Sequence, residues 1–202
     1  MKRPSHKPAL RFVLASGSPR RRDLLEKAGY QFEIISPVVV EVAVEWMTAR
    51  EVTFGNAMRK AMAVVEQAPG AVVLGADTLV ALDGQVIGKP VDLADAARIL
   101  RRLSNRTHEV WTSVVIRHST EKKGRGFQEL SLVHFRKLDD AAISKYLAKV
   151  HTLDKAGAYA AQGHGTEIIE RIEGSYTNVV GLPMETTGRV LREYGIAPER
   201  GL

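Results

Sequence analysis

Short apolar runs alternate along this chain with segments of helical period, and glycine or proline stands at many of the junctions. Residues 12–15 form an apolar run suited to a buried strand, and residues 19–28 follow as a helix that Gly29 ends. Residues 32–35 read as a second strand. Pro37-Val38-Val39-Val40-Glu41 is extended, with a charge following valines expected to be buried. Residues 49–67 carry Val52, Met58, Ala61, Met62 and Val65 at helical spacing, and Pro69-Gly70 stops them. Residues 71–76 make an apolar strand that runs into Asp77. Residues 79–82 and 85–87 flank Asp83-Gly84, a strong hairpin signal.

Asp92 is placed to cap a helix that runs through Leu103. Residues 110–116, rich in β-branched side chains, are a strand, 119–126 a polar turn, and 128–135 a returning strand paired with the first. Residues 139–148 are helical with Asp139 or Asp140 as cap. Residues 154–165, rich in glycine and alanine, form a shaped loop. Residues 167–172 are a strand turned by Glu173-Gly174, and 183–194 close the chain as a helix with Gly195 behind it. The order β-α-β-α-β-β-α-β-β-α-β-α predicts an α/β fold with a mixed sheet flanked by helices, rather than a purely parallel doubly wound one. No linker divides the chain, so one domain is expected over 9–202, behind a disordered basic tail at 1–8.

Composition narrows the chemistry. Of 202 residues, 45% are hydrophobic, enough for a sizeable core, and 26% are charged, as on an ordinary water-facing surface. The chain has no cysteine, which excludes disulfides, thiolate metal sites and cysteine nucleophiles and fits a reducing cytoplasm. No apolar run approaches the length of a membrane span, and no signal-peptide core follows the basic first residues. The net charge of +6 and pI near 9.6 suit an anionic partner without choosing among nucleotide, nucleic acid and membrane surface.

Ser16-Gly17-Ser18-Pro19-Arg20-Arg21-Arg22 is a candidate anion site. Ser18 can cap the following helix and Pro19 suits its first position, so free amides and a helix dipole would face a bound phosphate beside arginine forks. The alternative is a capped helix with a solvated basic face, and Arg22 is expected to face water. Asp77 is expected just beyond the carboxyl end of a buried strand, where open α/β sheets place their ligand crevice. A carboxylate there can bind a divalent cation or take a proton from water, or merely cap a turn. Glu41 could share a metal with Asp77 or be a solvated loop residue. Lys89, in Gly88-Lys89-Pro90, could neutralise phosphate, although no P-loop precedes it. Asp154 and Lys155 put an acceptor and a donor on the glycine-rich loop. On the same loop Gln162 could read a base edge, and Tyr159 could stack on a base or fill the core. The six histidines show no zinc spacing, and no G-x-S-x-G elbow occurs.

Several pieces taken in order resemble the Maf family of nucleoside triphosphate pyrophosphatases. They are Ser16-Gly17-Ser18-Pro19-Arg20-Arg21, Gly75-Ala76-Asp77-Thr78, Gly88-Lys89-Pro90, Leu103-Ser104 with His108, Asp154-Lys155-Ala156-Gly157-Ala158-Tyr159 with Gln162-Gly163, and Gly174-Ser175-Tyr176 with Asn178-Val179-Val180-Gly181-Leu182-Pro183. The resemblance implies a single elongated domain of Maf/ITPase-like fold with a central nucleotide cleft. It implies hydrolysis of a nucleoside triphosphate to monophosphate and pyrophosphate, with Asp77 as proton acceptor, Arg20, Arg21 and Lys89 on the phosphates, and Glu41 in the cleft. Arg20, Thr78 and Gln162 match the branch preferring dTTP and UTP, where the 7-methyl-GTP branch carries tryptophan, glutamine and glutamate; modified pyrimidine nucleotides would look the same as canonical ones to this pattern. The chain departs from the family pattern at Val40, where an acidic residue is usual, at Asn105, where glycine is usual, and at Ala160-Ala161, where Gly-Ile is more typical.

The expected mechanism has Mg²⁺ or Mn²⁺ bridging the triphosphate to Asp77 and Glu41. Asp77 deprotonates a water that attacks the α-phosphorus, while Ser16, Ser18, Arg20, Arg21 and Lys89 hold the phosphates. The substrate is a nucleoside triphosphate; no specific nucleic acid and no membrane partner are expected, and a homodimer is left open. Two other classes compete. One is a nucleic-acid-binding module, disfavoured by dispersed basic residues and only 6% aromatics. The other is an interaction protein acting in division control on the same fold.

Overall fold

The computed structural model describes residues 10–42, 47–121 and 123–199; the predicted tail at 1–8 lies outside them. The described chain is α/β. Its strands are β1 (Phe12–Ala15), β2 (Glu33–Ile34), β3 (Val72–Leu82), β4 (Gln85–Ile87), β5 (Thr107–His118), β6 (Gly124–Phe135) and β7 (Ile169–Glu173). Its helices are α1 (Pro19–Lys27), α2 (Ala49–Val65), α3 (Leu93–Leu103), α4 (Asp140–Leu147), α5 (Tyr176–Val180) and α6 (Met184–Glu193). The sheet runs β2-β1-β3-β5-β6-β7, with β4 added to β3. β1 is parallel to β2 and β3, and the remaining pairs are antiparallel, so the sheet is mixed.

The largest departure from the predicted elements is β3. Residues 71–76 and 79–82, expected as two strands, are one continuous strand, and Asp77 stands in its middle rather than beyond its end. β5 supports that length by pairing with β3 from Val72 to Ala81 along one edge. The other edge is shared. β1 covers Val72 to Gly75, and β4 returns over Val80 to Leu82 after the Asp83-Gly84 turn. Residues 76–79 therefore face a gap on that edge, between the carboxyl end of β1 and the start of the hairpin. The crevice expected at the end of a parallel strand exists, but β1 ends there and β3 runs through.

Side chains alternate faces along β3. Gly75 and Asp77 face α2, and a Cβ at Gly75 would stand 2.6 Å from the Ala57 carbonyl oxygen and from the Ala61 amide nitrogen. The missing side chain lets α2 lie against the strand. A capping box of Thr48 and Glu51 starts that helix, and its sheet-facing side buries Thr53, Asn56 and Lys60 among Val52, Ala57, Ala61 and Val64. On the opposite face two apolar clusters flank the gap. One packs Leu14, Leu25, Leu74, Ile116, Leu182 and Leu191 under α1 and α6. The other packs Leu82, Leu100, Leu103, Phe135, Ile143 and Tyr146 under α3 and α4.

Smaller differences have local causes. β5 and β6 are longer than predicted: β5 runs from Thr107 to His118, and β6 begins at Gly124. The glycine-rich loop contains two short 3-10 turns, Ala156–Ala158 and Gly163–Glu167, which delay β7 to Ile169. α5 was not predicted, since five residues are too few to show a period. Asp139 and Asp92 cap their helices as expected. Ser18 does not: its side chain makes no cap, and its amide donates instead to Ser16 Oγ at 3.2 Å. Asn105 adopts a φ of 58°, a left-handed conformation asparagine tolerates, where the family pattern has glycine.

Candidate active site

The gap beside residues 76–79 opens into a cleft of about 650 Å³. Ser16 to Arg21, carried by the β1–α1 turn, form one wall. Lys89 after β4 and the loop from Asp154 to Gln162 form the other, and the 37–42 segment borders it with Pro37, Val39, Glu41 and Val42. Every site residue predicted from the sequence lines this cleft: Ser16, Ser18, Arg20, Arg21, Glu41, Asp77, Thr78, Lys89, Asp154, Lys155 and Gln162.

Asp77 is buried at 5% exposure, with its carboxylate held from α2. Lys60 Nζ donates to Asp77 Oδ1 at 2.6 Å, and Asn56 Nδ2 reaches Oδ2 at 3.3 Å. The same ammonium lies 2.6 Å from Glu41 Oε1. Burial raises the pKa of Glu41, but the Lys60 hydrogen bond and charge, with Lys89 and Arg21 beyond, outweigh it and hold this carboxyl below its usual range. Asn56 also pins the segment carrying Glu41, since its side chain accepts from the Val42 amide and donates to the Val42 carbonyl. Contrary to expectation, Val38 and Val40 are exposed and only Val39 turns into the cleft. The Val40 side chain faces solvent, so a carboxylate there would not share the position of Glu41.

The apolar period over residues 49–67 does not by itself disclose Lys60 and Asn56, and neither was predicted as a site residue. Their spacing from Val52 and Val64 places both on the buried face, and a buried lysine requires an acid partner. That combination is the signal that could have found them.

At the first wall, Arg21 is buried beneath the β1–α1 turn. Nε donates to the Gly181 carbonyl at 2.8 Å, one Nη to Ser16 Oγ at 3.1 Å and the other to Thr78 Oγ1 at 3.1 Å. Burial pulls its pKa down against the charge of Asp77. Arg20 is half-buried and reaches Asp154 Oδ2 at 2.9 Å, while Asp154 Oδ1 accepts from Lys155 Nζ at 2.6 Å. Burial raises the Asp154 carboxyl, and the bonds from Lys155 and Arg20 outweigh it, leaving it below the usual range. Arg22 is exposed and pairs with Asp23, as expected of a residue facing water.

Lys89 is exposed at the rim, and Gln162, Ala160 and Ala161 line the far end. Of the two roles predicted for Tyr159, the structure shows core filling. The residue is buried against Phe135 and also lines the cleft, and its hydroxyl lies 2.8 Å from His108 Nε2. Burial pushes His108 down to about 3, so its imidazole is neutral.

The donor set suits a hard divalent cation. Mg²⁺ is held by one or two carboxylates together with substrate phosphates, and Asp77 and Glu41 already converge on one positive charge, the Lys60 ammonium. Among the described residues no group of three or more His, Asp or Glu side chains could hold a metal on its own, so any ion here would need substrate oxygens as well.

The family described as Maf-like protein matches residues 11–194. The chain is 43% identical over 183 residues to a dTTP/UTP pyrophosphatase of Pelotomaculum thermopropionicum, covering 91% of this chain and 96% of that one. It is 41% identical over 184 residues to a dTTP/UTP pyrophosphatase of Dictyoglomus turgidum, covering 91% and 95%. Among solved structures, the Staphylococcus aureus Ham1 protein is distantly similar, over 62% of this chain and 71% of that one, at a TM-score of 0.45 and 15% identity. The family match runs from β1 to the end of α6 and takes in both walls of the cleft, and the chain belongs to the Maf-like protein family.

Proposed function

We propose that this protein hydrolyses nucleoside triphosphates, dTTP and UTP foremost, to the monophosphate and pyrophosphate. The observation that carries the reading is the buried Asp77 carboxylate, tied to Lys60 and Asn56, facing across one cleft a turn of amides and guanidinium groups. A carboxylate opposite an anion-binding wall is an arrangement for moving a proton from water beside a phosphate chain. The names of its relatives and the trio Arg20, Thr78 and Gln162 support the pyrimidine preference.

Asp77 Oδ1 is occupied by Lys60, and Oδ2 takes only the longer contact from Asn56. Oδ2 is therefore the atom that accepts a proton from the attacking water. The water oxygen bonds to the α-phosphorus, the bond from that phosphorus to the α–β bridging oxygen breaks, and pyrophosphate departs with the bond's electrons. Arg20, Lys89 and the amides after Ser16 hold the phosphates, and Arg21 supports them from beneath. Asp77 and Glu41 would hold Mg²⁺ or Mn²⁺, which when bound supplies charge neutralisation of the triphosphate. Lys60 keeps the two carboxylates together. No described helix is long and apolar enough to cross a membrane, and a cysteine-free chain acting on free nucleotides suits the cytoplasm.

The test is Asp77→Asn, which keeps shape and removes the base. Pyrophosphate release from dTTP and UTP, with Mg²⁺ and after chelation, is expected to fall about 10²–10⁴-fold, in a protein whose native fold is checked by circular dichroism at the assay temperature. Release near the native rate would overturn the assignment.

A further inference from the structure

Tyr146 lies in α4, outside the motifs that build the cleft, and is 1% exposed. Its ring packs in the apolar cluster that also holds Leu103, Phe135, Ile143 and Tyr159. A hydroxyl carried into such a cluster needs a partner. This one finds both of its partners on a single residue of the glycine-rich loop. Tyr146 Oη accepts from the Ala160 amide at 2.9 Å and turns its own proton toward the Ala160 carbonyl at 3.4 Å. Burial raises the Tyr146 pKa above its ordinary 10, so the hydroxyl keeps the proton that the second contact uses.

Ala160 lines the cleft two residues before Gln162. On its other side the second 3-10 turn lies close, since a Cβ at Gly165 would stand 2.8 Å from the Ala160 carbonyl oxygen. The Ala160 backbone is thus held between Tyr146 and Gly165. Tyr159, just before it, is fixed by burial and by His108. Beyond Ala160 the hold weakens. The Ala161 carbonyl has a 3.4 Å contact from the exposed Tyr176 hydroxyl, and the Gln162 side chain makes no cap on the turn that follows it. Among the described residues the Tyr146 bond is therefore the last short side-chain hold on the backbone before Gln162, and the place of Ala160 governs the place of Gln162.

We infer that Tyr146 is a positioning residue for the base end of the cleft. Its hydroxyl holds Ala160, and through Ala160 the backbone that presents Gln162 to the base, while the phosphate wall from Ser16 to Arg21 does not depend on it. The effect on substrate choice rests on the proposed function; the hold on Ala160 does not.

Hydrogen exchange followed by NMR reads the hold. In the native protein the Ala160 amide is expected to exchange at least about tenfold more slowly than the amide of exposed Gly163, each taken relative to its intrinsic rate. Equal rates would overturn the inference without any variant. Tyr146→Phe keeps the ring and removes the hydroxyl, and is expected to bring the Ala160 rate close to that of Gly163; an unchanged rate would overturn the inference. Kinetics read the consequence. In Tyr146→Phe the ratio of kcat/KM for dTTP to that for GTP is expected to fall about two- to tenfold, the worth of one neutral hydrogen bond, with inhibition by base-free tripolyphosphate unchanged. In a Gln162→Ala background the same substitution should leave the ratio as it is. An unchanged ratio in Tyr146→Phe alone, or an equal loss on dTTP, GTP and tripolyphosphate, would show that the hydroxyl only supports the interior and would overturn the inference. Should Tyr146→Phe not fold, the native exchange rates still decide. Native protein that releases no pyrophosphate from any triphosphate would defeat the proposed function, and exchange at Ala160 would still show whether Tyr146 holds the loop.

Discussion

Lys60 is the residue on which the site turns. Its ammonium meets Asp77 and Glu41 at 2.6 Å each, from a helix face that is otherwise largely apolar. Lys60→Met would leave a buried carboxylate without its cation and free Glu41 to swing outward. The expected result is a fall of about 10²-fold in kcat/KM for dTTP, the loss typical when a reacting group is misplaced. Unchanged kcat/KM would mean that Lys60 only fills the interior. His108, buried against Phe135 and Tyr159, shapes behaviour through its burial. Its folded value of about 3 lies below its ordinary 6.5, so between those values the unfolded chain binds a proton that the folded chain does not. Its contribution is whole above about pH 6.5, and stability is lost as the pH falls, at about 1.4 kcal/mol per pH unit. Urea unfolding at pH 7 and pH 5 should therefore show a shallower drop for His108→Gln than for the native protein, and equal drops would contradict the assignment.

At the level of elements, the site depends on how closely α2 lies on β3. Gly75→Ala would drive a Cβ into the backbone of Ala57 and Ala61. A loss of about 1–3 kcal/mol is expected, a drop in melting temperature of roughly 2–12 °C for a chain of this size, checked by calorimetry; an unchanged value would mean that the helix has room to spare. This closeness also explains what the sequence did and did not disclose. Apolar runs and turn residues located nearly every strand and helix, because burial on a sheet face and chain reversal each leave a local mark. The continuity of β3 through Asp77 left none, since a lone carboxylate in an apolar run looks like an end. Only the pairing with β5 from Val72 to Ala81 keeps the strand going. The anion turn, Asp77 and Lys89 could be found from residue type and neighbours. Lys60 and Asn56 needed one step more, the recognition that their helical spacing puts them on the buried face of α2, because their partner lies on another element. Thr78 was found, but its orientation depends on Thr112 and Asn178, residues that carry no local signal.

Across the whole molecule, the cleft exists because β1 and β4 share one edge of β3 without meeting, and separate apolar clusters support the two sides. One wall offers amides and guanidinium groups, the other a glycine-rich loop with Tyr159 and Gln162, and Asp77 stands between them. A triphosphate laid across this gap would put its phosphates between the first wall and Lys89 and its base toward Gln162, with the α-phosphorus nearest the carboxylate. The direct test is hydrolysis of dTTP in H₂¹⁸O by the native protein, with products resolved by mass. The expected result is thymidine monophosphate and pyrophosphate in equal amounts, with the heavy oxygen in the monophosphate. Release of the diphosphate and inorganic phosphate, or heavy oxygen in the pyrophosphate, would contradict attack at the α-phosphorus and the mechanism built on it.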